Sequence, residues 1–327
     1  MRADRKVRTS VWAAGLLSAA LVATACSGTG QEEEGAEDAG SLDATVAVIA
    51  HGASGDAFWS VVKSGAERAG EDLGVTVQYN STDVVADQAN LIDTAVSDEV
   101  DGIVVSMAEP DGLEDAIKAA VDAGIPVITI NSGLDQSAQF GALTHIGQSE
   151  GIAGQAAGDK FNELGAEHVL CVIHEAGNVG LEERCAGAKR NSEGTVENLQ
   201  VDGADTAKAS ESILSALQAD DSIDAVLALN GQVALGAAQA IEQQGSDVQV
   251  GTFDLSTDVV AGIEDDTIAF AIDQQPYVQG YLGVQFVYLN VLNGNDIGGG
   301  QPVYSGPAFV TKENAAEVAD FAERGTR

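Results

Sequence analysis

From residue 44 onward, short unbroken apolar runs alternate with longer stretches in which apolar residues recur every three or four positions. The runs "ATVAVIAH" (44–51), "VTVQYN" (75–80), "GIVVSM" (102–107) and "PVITIN" (126–131) have strand length. After Phe58, the positions Val61, Val62, Ala66, Ala69 and Leu73 follow helical spacing, and helices are predicted again over 84–97 and 112–123. Continuous apolar strands separated by amphipathic helices predict a parallel sheet covered on both faces. The pattern then restarts. Strands are predicted at 168–175, 196–203, 224–230, 248–254 and 268–273, with helices from about 180 and over 206–219 and 232–244. Two similar α/β halves predict two domains with a cleft between them, although no residue-level repeat accompanies the architectural one.

The predicted strands end in polar side chains. The first runs into "AHGASGDAFW", with His51, Asp56, Phe58 and Trp59; others end in Ser106, Asn131-Ser132, Asn230 and Asp254. The stretch "FAIDQQPYVQGYLGVQF" (270–286) passes from an apolar strand into Asp273, Gln274, Gln275 and Pro276, after which Tyr277, Tyr281, Val284 and Tyr288 recur at helical spacing. Open parallel sheets bind ligands at the carboxyl ends of their strands. Asn, Asp and Ser are also good helix N-caps, which is the plainer reading of each one alone. Their recurrence beside an aromatic pair points to a ligand site.

The start of the chain adds a location. Arg2, Arg5, Lys6 and Arg8 precede an apolar run from Val11 to Ala25, the layout of a signal peptide. "ATAC" leads into Cys26 and resembles the lipobox of bacterial lipoproteins, with Ala23 where leucine is usual. Two lipid chains on Cys26, at about 0.8 kcal/mol per buried methylene, would hold the protein on a membrane. "SGTGQEEEGAEDAGS" (27–41) reads as an acidic, disordered tether. An extracytoplasmic compartment favours a disulfide between Cys171 and Cys185; two free buried thiols are the alternative.

With 51 acidic and 15 basic residues, net charge −36, the chain lacks the basic surface that nucleic acids require. No run has the spacing of a calcium loop or a zinc site, so no metal and no cofactor is expected. There is no Walker loop, no G-x-S-x-G and no H-E-x-x-H; "HEAG" (174–177) lacks the second histidine. An enzyme is not expected.

The segments "GDAFWSVVKSGAERAGEDLGV", "DGIVVSMAEPDGL", "AGIPVITINS", "HIGQSEGIAGQAAGD", "AVLALNGQVALGA", "VGTFDLS" and "FAIDQQPYVQGY", in that order, resemble the type I periplasmic binding proteins. The likeness is to the ribose-binding-protein-like sugar receptors of ABC importers, here in lipoprotein form, and covers about residues 44–310. It implies two Rossmann-like parallel-sheet domains joined by a three-strand hinge. The implied division is a signal peptide over 1–26 with lipidated Cys26, a tether over 27–43, one lobe of 44–147 plus 275–304, and another of 148–274 plus 305–327. It also implies a ligand set: His51, Asp56, Phe58 and Trp59 from the first loop, Asn131 and Ser132 where ribose binders carry an Asp-Arg pair, then Arg184, Asn230, Asp254 and Gln274. Rings at 58 and 59 would stack on a sugar's apolar faces. The amides, carboxylates and guanidinium match hydroxyls that both donate and accept. Trp59 and Asp254 are expected to face each other across the cleft. The implied function is capture of a sugar or polyol and delivery to an ABC permease, by a monomer anchored to the outer face of the cell membrane by lipid. A receptor signalling through a membrane partner is the alternative. A repressor of this fold would need a DNA-binding helix-turn-helix ahead of residue 44, where the export signal stands.

Overall fold

The computed structural model describes residues 43–53 and 55–327. The expected signal peptide, Cys26 and nearly all of the tether lie outside the described residues.

In chain order the first half carries β1 (Thr45–Ala50), α1 (Ala57–Leu73), β2 (Thr76–Ser81), α2 (Val85–Ser97), β3 (Gly102–Ser106), α3 (Glu114–Asp122), β4 (Val127–Ile130), α4 (Leu134–Ser137) and β5 (Thr144–Gly147). The second carries α5 (Glu150–Leu164), β6 (His168–Ile173), α6 (Val179–Asn191), β7 (Thr195–Gln200), α7 (Thr206–Ala219), β8 (Ala225–Ala228), α8 (Gly231–Gln244), β9 (Gln249–Phe253), α9 (Thr257–Glu264) and β10 (Phe270–Asp273). Then follow α10 (Pro276–Asn293), β11 (Val303–Tyr304), β12 (Ala308–Val310) and α11 (Ala315–Glu323). The strands form two sheets, ordered β11-β5-β4-β3-β1-β2 and β12-β10-β9-β8-β6-β7. These are two α/β domains with parallel sheets joined by connecting segments, as the alternating pattern predicts.

The inner strands of each sheet are buried on both faces, which is why they read as continuous apolar runs, whereas the edge strands β2 and β7 are largely exposed. In β1, Val46, Val48 and Ala50 join one core cluster with residues of α1 and α10. Ala47 and Ile49 point the other way, into a cluster with α2 and α3. Ile49 is 1% exposed, and burying such a side chain stabilises by about 1.5–3 kcal/mol. The second sheet divides in the same way, with Leu170 and Val172 on one face and Val169, Cys171 and Ile173 on the other. Cys171 in β6 is bonded to Cys185 in the covering helix α6, with Cα atoms 5.8 Å apart.

The chain passes between sheets three times: from Gly147 to Glu150, from Asp273 to Pro276 and from Tyr304 to Ala308. These segments are tied together. Ser305 donates its backbone N–H to the Gly147 carbonyl (2.7 Å) and its hydroxyl to the Gln274 carbonyl (2.7 Å). Gln279 Nε2 reaches the same Gln274 carbonyl at 3.1 Å. Arg327 Nε donates to the buried Asp273 carboxylate at 2.6 Å.

One strand departs from the all-parallel expectation. β12 pairs with β10 antiparallel. Its direction follows from the topology. β11 runs parallel to β5 and so ends at the side facing the second domain. The chain therefore enters the second sheet at the carboxyl ends of its strands and must run against them. The short β5, β11 and β12 have no separate signature in the hydrophobic pattern.

Candidate functional site

In both sheets the first strand lies between the second and third, so the strand order reverses beside β1 and beside β6. Open α/β sheets bind ligands at the carboxyl ends of strands at such a switch point. A narrow cavity of about 30 Å³ lies there, lined by all ten residues of the expected ligand set. It shares His51, Asp56, His174, Glu175, Asn178 and Asn230 with a wider chamber of about 660 Å³.

The first domain contributes a packed aromatic corner. Asp56 caps α1, its Oδ1 accepting the Trp59 N–H at 3.2 Å, and so sets the first turn that carries Phe58 and Trp59. Trp59 meets the Phe58 ring edge-on at 5.0 Å and the His51 ring at 4.6 Å. A Cβ on Gly52 would lie 1.8 Å from Trp59 Cδ1, so glycine is required for this approach. Trp59 is 6% exposed and belongs to the domain core as well as to the cavity wall. His51 is oriented by Ser106, whose Oγ accepts the His51 N–H at 2.9 Å and lies 2.8 Å from Nδ1.

Both domains and the crossing segment supply the polar wall. Asn131 Nδ2 donates to Gln274 Oε1 (3.1 Å), and Gln274 Nε2 donates to Asp254 Oδ1 (2.5 Å). Ser132 Oγ donates to Asn131 Oδ1 at 3.0 Å. One amide on the hinge thus links the two domains at the floor of the cavity. Asn131 (φ 62°) and Asp254 (φ 70°) are the residues just after β4 and β9, both in the left-handed region. Asn and Asp tolerate it better than other side chains, and such strain concentrates where side chains must be aimed precisely. Asp254 does not cap the helix that follows: Ser256 does, accepting the Val259 N–H at 3.2 Å. Asn230 has both roles, capping α8 (2.7 Å to Gln232 N–H) and lining the cavity.

Arg184 is 3% exposed and held bidentately by the equally buried Glu150, with Nε to Oε2 at 2.5 Å and Nη2 to Oε1 at 2.9 Å. Its guanidinium lies over the Phe253 ring at 4.4 Å. The pair meets because α5 and α6 pack closely: a Cβ on Gly154 would lie 2.1 Å from the Arg184 carbonyl.

Sequence reading missed His174, Glu175, Asn178, Leu181 and Leu229, which also line the cavity. His174 and Glu175 were available to it. The predicted strand 168–175 overran β6 by two residues, and a boundary at Ile173 turns "HE" into one more polar strand end. Asn178 caps α6 and donates to Glu175 Oε2 at 2.5 Å.

Burial sets the proton affinities. It pushes Asp254 up to about 7, against opposing pulls from Arg184 and the Gln274 hydrogen bond. It pulls His174 down to about 4 and lowers His51 as well, keeping both neutral near pH 7. A ligand hydroxyl donating to Asp254 favours its ionised form. Affinity for a ligand that donates to Asp254 is therefore expected to rise with pH between about 5.5 and 8, and its binding near pH 7 to release roughly half a proton. Titration calorimetry in buffers of different ionisation enthalpy measures this. Stability is a poorer readout. Asp254's contribution is present near pH 4 and is lost as pH rises towards 7, whereas the lowered histidines make stability rise with pH across much of the same window.

Residues 46–296 match the periplasmic binding protein domain family. The chain belongs to that family: it is a non-catalytic, extracytoplasmic solute-binding protein related to the receptors of ABC importers. Similar to it is the crystal structure of a carbohydrate transporter from Acidothermus cellulolyticus 11B in complex with myo-inositol. That protein is 45% identical with a TM-score of 0.86, the match covering 87% of this chain and 100% of that one. The fructose import binding protein FruE of Bifidobacterium longum is 28% identical over 79% of this chain and 82% of its own. The ribose import binding protein RbsB of Bacillus subtilis is 27% identical over 70% and 75%.

Proposed function

We propose that this protein captures a polyhydroxylated ring, a sugar or cyclitol, between its two domains and delivers it to an ABC import permease. It does so as a monomer held at the outer face of the cell membrane by lipid on Cys26. The observation that carries the reading is the convergence of the ten side chains on one cavity. Trp59 and Phe58 offer an apolar surface to a ring face. Gln274, Asn131 and Asn230 both donate and accept, Asp254 and Asp56 accept, and Arg184 donates. A site of this kind rejects an analogue lacking a hydroxyl, because its own buried polar atoms are then left without partners. The domains close about the ligand by bending at the three crossing segments.

Myo-inositol is the first candidate ligand. It occupies the Acidothermus protein, 45% identical to this chain, and Asn131-Ser132 replaces the charged pair that ribose binders carry. Deleting the gene is expected to abolish uptake of radiolabelled myo-inositol and restoring it to recover uptake; unchanged uptake would refute delivery. Cys26→Ala is expected to shift the protein almost wholly from the membrane fraction to the soluble fraction, since two acyl chains supply the anchoring energy. A variant that stays with the membrane would refute the lipid anchor.

A further inference from the structure

Arg184 is the one Lys or Arg among the described residues lining either cavity, against six carboxylates: Asp56, Asp83, Glu109, Glu175, Asp202 and Asp254. A buried arginine in a ligand cleft ordinarily makes a receptor for carboxylates and phosphates, because its planar fork pairs with them bidentately. Here that fork is already occupied. Glu150 takes Nε and Nη2, the edge an anion would use, and its Oε2 also accepts from Gln148 Nε2 at 2.9 Å. Glu150 does not itself line the cavity, so it acts on the ligand only through Arg184. What remains toward the cleft is a guanidinium whose charge is cancelled from behind, in a wall that is otherwise acidic.

We propose that Glu150 is a specificity-determining residue: by pairing with Arg184 it cancels the one cation of the cleft wall, leaving a hydroxyl donor and excluding anionic polyols such as sugar acids. The proposal rests on the reading of the cavity as a polyol site and names the class that site takes, the uncharged members. Glu150 stands at the first turn of α5, three residues past the end of β5, so the first crossing segment sets the charge of the pocket as well as the hinge.

The test is calorimetric titration of the full protein with myo-inositol as the neutral probe and D-glucuronate as the anionic one. Wild type is expected to bind the first and to take up the second at least about 100-fold more weakly, since like charges brought together in a desolvated site repel strongly. In Glu150→Gln the amide still accepts from Arg184 but no longer cancels it. The preference for the neutral probe should shrink by about 10- to 100-fold through a gain in glucuronate binding, and Glu150→Asp should restore it. A purely structural role would weaken both probes together and leave the ratio unchanged, which would overturn the proposal, as would wild type binding both equally well. Should Glu150→Gln lack a cooperative melt, Asp56→Asn serves instead, because asparagine caps a helix as well as aspartate does. It should relax the exclusion by several-fold, and an unchanged ratio there would overturn the proposal too. A wild type indifferent to every sugar and cyclitol would remove the underlying reading, an outcome distinct from a wild type that binds myo-inositol while Glu150→Gln gains nothing.

Discussion

Asp254→Ala is expected to weaken ligand binding by roughly 30- to 1000-fold while the ligand-free variant melts no lower than wild type. The loss corresponds to about 2–4 kcal/mol, the cost of removing a charged acceptor and leaving ligand hydroxyls buried without a partner. The unchanged melting temperature follows from what Asp254 does in the fold. It is 8% exposed, its side chain accepts from Gln274, and α9 is capped by Ser256 instead. Burial raises its proton affinity to about 7, so near neutral pH the carboxylate is a cost to the folded protein rather than a support. Calorimetric titration and a thermal melt of the same preparation separate the two effects. Near-wild-type affinity with a lowered melting temperature would make Asp254 a structural residue and would cast doubt on Gln274 and Asn131, to which it is linked.

Arg184→Met, unlike Asp254→Ala, is expected to bring a large loss of stability. Removing the arginine leaves Glu150, 3% exposed, as an unpaired buried carboxylate, and breaking a buried pair in this way costs about 3–5 kcal/mol. For a domain of this size that lowers the melting temperature by roughly 10 °C. Replacing both partners, Glu150→Met with Arg184→Met, should recover much of the loss, because apolar groups of similar volume often substitute for a buried pair at little cost. A single variant as stable as wild type, or a double variant showing the sum of two losses, would contradict the pairing.

The cleft was legible because its residues sit where a strong local signal stops. Apolar strands buried on both faces announce their own ends, and Asn131, Asn230, Asp254 and Gln274 are each found by reading one or two residues past the last apolar position. His174 and Glu175 were lost through the same rule applied two residues late. Phe58 and Trp59 line the cavity, as their place in the first loop suggested, but their share in the core was not readable: helical spacing cannot say which part of a ring faces the core and which the cavity. Glu150 escaped altogether. It is 34 residues from Arg184, and only the close approach of α5 to α6 at Gly154 brings them together. The short strands β11 and β12 were similarly silent, since two or three residues cannot display a period. Pairings across the fold, which decide charge and proton affinity, are tertiary facts without a local pattern.

The central claim is that a polyhydroxylated ring binds between the domains, and titration calorimetry of the wild-type protein with myo-inositol, followed by a panel of pentoses, hexoses and other cyclitols, tests it most directly. The account predicts saturable one-to-one binding by myo-inositol or a close member of the panel, weakened roughly 30- to 1000-fold in Asp254→Ala; at 100 times the dissociation constant such a ligand also adds about 2.7 kcal/mol of stability. Absence of heat and of any stabilisation across the whole panel at millimolar concentration, in protein that melts cooperatively, would contradict it.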